Sequence, residues 1–184
     1  MSKFAAGKEM APASPGARVG GLPLVPKGTA WPICKSCGGP MQFEGQWPLD
    51  AIGRRGRVLV VFMCQNNPGM CEEYFPSSGG NSAFIVDASS SVPLAAPGLT
   101  PEQLSKFGEV RTILSPARSV VNAVGGEPEW IQADDTPTCD CGKKMILLLQ
   151  LSEEVHEGLN FGGGEAYAFG CQSCPNQAMF LWQQ

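Results

Sequence analysis

Residues 31–46 read Trp31-Pro32-Ile33-Cys34-Lys35-Ser36-Cys37-Gly38-Gly39-Pro40-Met41-Gln42-Phe43-Glu44-Gly45-Gln46. This stretch decides the fold because the chain writes it a second time. Pro32 and Cys34 return as Pro137 and Cys139, 105 positions later; Gly38, Met41 and Gln46 return as Gly142, Met145 and Gln150 at an offset of 104. Upstream, Val19-Gly20-Gly21-Leu22-Pro23 returns as Val124-Gly125-Gly126-Glu127-Pro128, again at 105. Downstream, Phe62, Cys64 and Gln65 return as Phe169, Cys171 and Gln172 at 107. Four landmarks in one order at nearly constant spacing mark an internal duplication.

The duplication assigns the cysteines. Cys34-x-x-Cys37 with Cys64 and Cys71 belongs to the first copy; Cys139-x-Cys141 with Cys171-x-x-Cys174 belongs to the second. The amino-terminal residues lack the apolar run of a secretion signal, so a reducing, cytoplasmic location is expected. There, an even cysteine set binds metal more readily than it forms lasting disulfides. Both leading knuckles end in glycine, at Gly38 and Gly142, which lets the backbone turn so that amides point at the sulfurs. Four thiolates at about 2.3 Å make a tetrahedral zinc site. The expectation is therefore two structural Zn²⁺ ions, each held within its own copy. A thiol oxidoreductase stays as an alternative, although neither C-x-x-C opens a helix after a strand as redox-active motifs do.

Composition agrees with a strand-and-turn protein. Gly 23 and Pro 16 make up about a fifth of the 184 residues, and only 16% are charged, too few for long solvated helices. The fold class expected is mainly β, an α+β chain with few short helices, built as two pseudo-symmetric β-rich halves, each with a zinc-ribbon-like four-cysteine site. The 27 residues from Cys37 to Cys64 and the 30 from Cys141 to Cys171 leave room for two or three strands between knuckles. Candidate strands are Met41–Leu49, Val58–Phe62, Glu73–Phe75, Ser82–Val86, Val110–Leu114, Met145–Leu151, Ala166–Phe169 and Ala178–Trp182. One helix signal stands out. Thr100 precedes Pro101, Gln103 completes a capping box and Gly108 stops it; a second short helix is read over 117–123. Residues 1–17 read as a flexible arm, 18–87 and 123–184 as the two repeats, and 88–122 as a connector. Each repeat alone is too small for an ample core, so the halves are expected to pack about a pseudo-two-fold axis.

The elements Val19-Gly-Gly-x-Pro23, Trp31-Pro32, Met41-x-Phe43 and Gln46, followed by a strand and a second aromatic-x-Cys-Gln segment, resemble the YwqG-like domain of unknown function. The resemblance covers most of residues 18–184. The knuckles are also similar to those of the programmed cell death protein 2 family. Many YwqG-like members lack these cysteines, so the metal reading rests on this sequence. The resemblance implies no enzymatic activity. It implies function by binding, as an immunity protein beside a secreted toxin or as a chaperone for a basic client.

Catalytic patterns are absent from the sequence. Four-thiolate zinc is coordinatively closed. The one histidine, His156, has no G-x-S-x-G partner, and the zinc deaminase order of motifs is not present. Net charge −4 and pI ≈ 5.0 give no footprint for nucleic acid, and no apolar run reaches the ~20 residues that span a bilayer. The expected function is that of a non-enzymatic binding module, a free monomer that neutralises a cognate bacterial toxin. Its candidate contacts are the acidic Glu72, Glu73, Asp134, Asp135, Glu153, Glu154 and Glu157, with Trp130 and Phe161 as aromatic anchors.

Overall fold

The computed structural model describes residues 2–9, 16–95, 112–116, 123–156 and 158–184. Its strands are β1 (Ser2–Glu9), β2 (Arg18–Val19), β3 (Leu24–Pro26), β4 (Gln42–Pro48), β5 (Arg57–Met63), β6 (Asn81–Asp87), β7 (Ser91–Pro93), β8 (Thr112–Pro116), β9 (Ala123–Val124), β10 (Ile146–Ser152), β11 (Glu165–Gly170) and β12 (Ala178–Gln183). Helical structure among the described residues is limited to 3-10 turns at Asp50–Ile52, Ala88–Ser90 and Glu153–Val155. The protein is mainly β, as its sequence implies.

Ten strands form one antiparallel sheet in the order β12-β11-β10-β9-β1-β8-β2-β4-β5-β6. Read backwards, with each strand exchanged for its counterpart in the other copy, the order is unchanged. This is the pseudo-two-fold relation of the duplication. The two ends of the sheet come back together: Phe84 bridges Gln177, and the Ile85 amide donates to Asn176 O at 3.1 Å. Arg54 and Arg57, on the β4–β5 side, reach across to the carbonyls of Cys171 (3.1 Å) and Pro175 (3.4 Å).

Period-two patterning sorts the side chains. Trp47, Leu59, Val61, Met63 and Ile85 of the first copy meet Leu149, Leu151, Ala166, Ala168 and Phe180 of the second in one shared core. The alternate residues build two outer clusters, each capped by its own cysteines. Phe43, Val60 and Phe62 pack with Cys34, Cys64 and Cys71; Leu147, Tyr167 and Phe169 pack with Cys139 and Cys171. Both copies bulge at the same place. The β4–β5 register slips between Phe43 and Gly45, and the β10–β11 register between Leu147 and Leu149.

Two expectations need correction. Ser2–Glu9 is a strand, not part of an arm, and it pairs with β8 and with β9 of the other copy. Each copy therefore sends its leading strand across to its twin, since β8 in turn pairs with β2. Glu73–Phe75 is a turn, and β6 takes the closing position, because Asn81 Nδ2 ties the carbonyls of Glu73 and Phe75 (2.7 and 2.8 Å) into a loop. In the 88–122 connector the strand expected over Val110–Leu114 is β8, in the main sheet, and β7 against β3 is added to it. Of the second short helix, residues 117–122 lie outside the described residues and Ala123 opens β9; the capped helix at Thr100–Gly108 also lies outside them.

Candidate metal centres

Each first knuckle is a tight reversal joined to the strand that follows it. Cys34 N donates to Gly39 O and Gly38 N to Cys34 O, both at 2.9 Å; in the second copy Cys139 N donates to Lys143 O (2.9 Å) and Gly142 N to Cys139 O (2.7 Å). Gly38 and Gly142 take φ of 71° and 82°, a left-handed conformation that side chains resist. Met41 N to Pro32 O (3.0 Å) and Met145 N to Pro137 O (2.9 Å) fix the knuckles at the heads of β4 and β10. The second knuckles begin where β5 and β11 end, at Cys64 and Cys171.

These placements gather Cys34, Cys37, Cys64 and Cys71 into one group and Cys139, Cys141, Cys171 and Cys174 into another, all sulfurs of a group lying within 4.8 Å of one another. Cys37 and Cys64 Sγ are 3.7 Å apart, and Cys141 and Cys171 Sγ 3.6 Å. Four sulfurs about 2.3 Å from one metal are about 3.8 Å from each other, so the spacing fits a tetrahedral zinc. All eight cysteines are free of disulfides. The two four-cysteine groups are positioned to bind two zinc ions, each within one copy. The thiols share their protons unevenly. The Gly39 amide helps bring Cys37 down to about 7. At Cys171 burial is outweighed by the Ser173 and Cys174 amides, which leave it near 7. The Cys141 and Cys139 thiols push Cys174 up to about 12. A metal ion displaces such protons and takes four thiolates in their place.

The expected partner contacts divide. Phe161 is fully buried beside Phe180 in the shared core, so it is not a surface anchor. Glu73 is buried, with its carboxylate turned inward to the Gly69 amide, and offers nothing to a partner. Trp130 is half-buried and stacks on Phe169 with centroids 5.7 Å apart. Glu153 receives the amides of Phe161 and Gly163 (2.9 Å for the latter), and Asp134 accepts from Thr136 and Lys144, which hold its carboxyl down to about 2. Asp135 accepts from Gln183 Nε2 at 2.8 Å. Glu72 and Glu154 are exposed, and Glu157 lies outside the described residues.

Sequence reasoning missed two features. Asn66 Nδ2 lies over two sulfurs of the first site, and Glu44 is wholly buried with neither carboxylate oxygen hydrogen-bonded. For each, the available signal was a difference between the copies, Asn66 against Ser173 and Glu44 against Leu148.

No family model matches the chain. The uncharacterized protein YpfL of Salmonella typhimurium is 43% identical to it over 56 residues, 30% of this chain and 13% of YpfL. The chain thus spans only a small part of that relative's length. Among the described residues no helix is long and apolar enough to cross a membrane.

The charge is unevenly divided. Residues 123–184 carry nine acidic side chains against two lysines, a net charge of −7, whereas residues 1–122 carry eight acidic and eleven basic ones, +3. Glu127, Glu129, Asp140 and Glu154 of the second copy are all exposed. Glu129 and Glu154 stand close enough to Glu165 to add to the effect of burial in raising its carboxyl.

Proposed function

We propose that this protein is a non-catalytic binding module whose second copy presents an acidic face to a basic protein, and that its physiological role is to neutralise a cognate toxin. The observation that carries this reading is the charge division. Two copies of one fold, with the same type of metal ligand, differ by eight charge units, +1 over residues 18–87 against −7 over 123–184. Fold and metal binding place no such demand on a surface, whereas recognition of a basic partner does, because complementary potential steers encounter and raises the association rate. Zinc sites closed by four thiolates fit a structural role, since no coordination position is left for a substrate. The YwqG-like resemblance points the same way. In this reading the zincs fix the frame and the loops over 127–140 and 153–165 cover the toxin's active surface.

The test is association with the product of the adjacent gene, measured at two salt concentrations. Charge reversal at Glu129 and Glu154 should slow association about tenfold or more at low salt, while reversal at Glu72 on the first copy should leave it nearly unchanged. Protection from the toxin without physical association would overturn the proposal.

A further inference from the structure

The two cysteine sites share their ligand type but not its spacing, Cys34-x-x-Cys37 with Cys64 and Cys71 seven apart against Cys139-x-Cys141 with Cys171-x-x-Cys174, and beside the ligands they differ at a linked pair of positions. Gly39 follows the knuckle glycine of the first site and Asn66 lies two residues after Cys64; the second site has Lys143 and Ser173 there. Unlike Gly38, Gly39 has no positive φ, so its backbone does not call for glycine. Space does. A Cβ at position 39 would lie 2.7 Å from Asn66 Nδ2. The amide that occupies this room donates to Pro40 O at 3.0 Å and lies 3.5 Å from Cys37 Sγ and 3.4 Å from Cys64 Sγ. One neutral donor thus spans a sulfur from each of the two knuckles.

The second site is built otherwise. Lys143 Nζ donates to Ser173 Oγ at 2.7 Å, so the pair is engaged with itself and not with a ligand sulfur. The Gln177 side-chain amide meets one ligand sulfur only: its oxygen accepts from the Cys139 thiol at 2.7 Å, and its Nε2 lies 3.5 Å from Asp140. Main-chain donation is common to both sites, as the Ser173 amide to Cys171 Sγ (3.3 Å) illustrates. A side-chain amide that reaches a sulfur of each knuckle is what distinguishes the first.

We propose that Asn66, admitted by Gly39, is the outer positioning residue that sets the metal affinity of the first cysteine site, and that the second site, lacking it, releases its zinc sooner. An N–H aimed at a metal-bound thiolate draws charge from the sulfur and fixes its orientation, and such outer partners are worth about 10–100-fold in affinity. Asn66 is open to water on its other face, which puts the expected effect near the lower end of that range.

The experiment uses the full chain loaded with zinc and challenged with excess EDTA, with release followed by a zinc-sensitive dye. The wild type should release in two phases. Asn66→Ser, which gives the first site its twin's residue, should speed the slow phase about tenfold and leave the fast phase alone. The reciprocal graft, Lys143→Gly with Ser173→Asn, should slow the fast phase, and it decides the matter should Asn66→Ser fail to hold two zincs. In the cobalt-loaded protein Asn66→Ser should also move the thiolate-to-cobalt charge-transfer band. Faster release with an unmoved band would reduce Asn66 to a brace for the Pro40 turn and overturn the proposal. So would two variants whose phases all stay within twofold of the wild type.

Discussion

Glu44 and Leu148 occupy the same bulge in the two copies, each the extra residue between paired neighbours, Phe43 and Gly45 in one and Leu147 and Leu149 in the other. Leu148 belongs to the shared core. Glu44 is 1% exposed, its two carboxyl oxygens have no hydrogen-bond partner, and burial pushes it up to about 8 against the softer pull of the nearby Gln65 amide. A folded value above the unfolded 4.5 means that the folded state holds the proton more tightly. The stability due to the neutral acid is fully present below about pH 4.5 and is lost as pH rises through 8, at about 1.4 kcal/mol per pH unit. Glu44→Leu should raise stability at pH 7 by about 2 kcal/mol or more. Glu44→Gln should flatten the pH dependence while keeping the unpaired polar group. Urea melts of the three proteins between pH 5 and 9 check this; parallel pH profiles would refute it.

Gln46 and Gln150 perform one task in both copies. Gln46 Oε1 accepts from Leu24 N at 3.1 Å and Gln150 Oε1 from Glu129 N at 2.9 Å, so each glutamine ties its strand to the segment just beyond its own Gly-Gly-x-Pro turn. Their surroundings differ. Gln46 also accepts from Arg18 (3.0 Å) and donates to Gly16 O (3.3 Å), whereas Gln150 donates to Glu129 O (3.1 Å) and to the Glu165 carboxylate. Replacing either by alanine leaves buried backbone groups unpaired and should cost about 2–4 kcal/mol. Glutamate separates them. Gln46→Glu keeps two acceptor contacts and gains a charge opposite Arg18 while losing the long bond to Gly16 O, so it should cost less than alanine. Gln150→Glu sets two carboxylates together and should destabilise as much as alanine or more. Equal costs for the two glutamates in chemical denaturation would contradict this account.

Gly45 is confined by space. A Cβ there would lie 2.4 Å from Arg18 O and 2.6 Å from the Trp47 ring. Because the first obstacle is backbone, no rotamer change clears it, and Gly45→Ala should cost about 3 kcal/mol. A thermal melt of that variant close to wild type would show that β2 can move aside.

The duplicated landmarks made the strands, the ligand sets and the pairing of halves legible, because metal spacing and period-two burial are written in residue type. Met145 to Leu151 read as a strand buried on both faces, and residues 147–151 are indeed buried. What stayed hidden was long-range. Nothing local in Ser2–Glu9 announces a partner in the other copy. Glu73-Tyr74-Phe75 has strand composition, yet Asn81 curls it into a turn. Phe161 stands among acidic residues and glycines in sequence, and only the chain's return onto Phe180 buries it.

The shared core makes the packing of each copy depend on the other. Leu59, Val61 and Met63 of β5 are fully buried, and much of the wall around them consists of Leu149, Leu151 and Ala168 from the other copy. Cys171→Ser removes a ligand from the second site and loosens the knuckle that ends β11. A structural zinc has an apparent binding energy of about 10–16 kcal/mol, comparable with the whole stability of a domain at about 5–15. Losing one site therefore exceeds what the second copy holds in reserve, and its unfolding exposes the inner face of β5. The expected result is a loss of structure that spreads from β11 to the inner face of β5 while the first knuckles keep their zinc. Hydrogen exchange on the variant checks it: the amides of β5 and β11 should both lose protection, with about one zinc retained per chain. Full protection of β5 beside an exchanged β11, with one zinc retained, would mean that each half folds on its own.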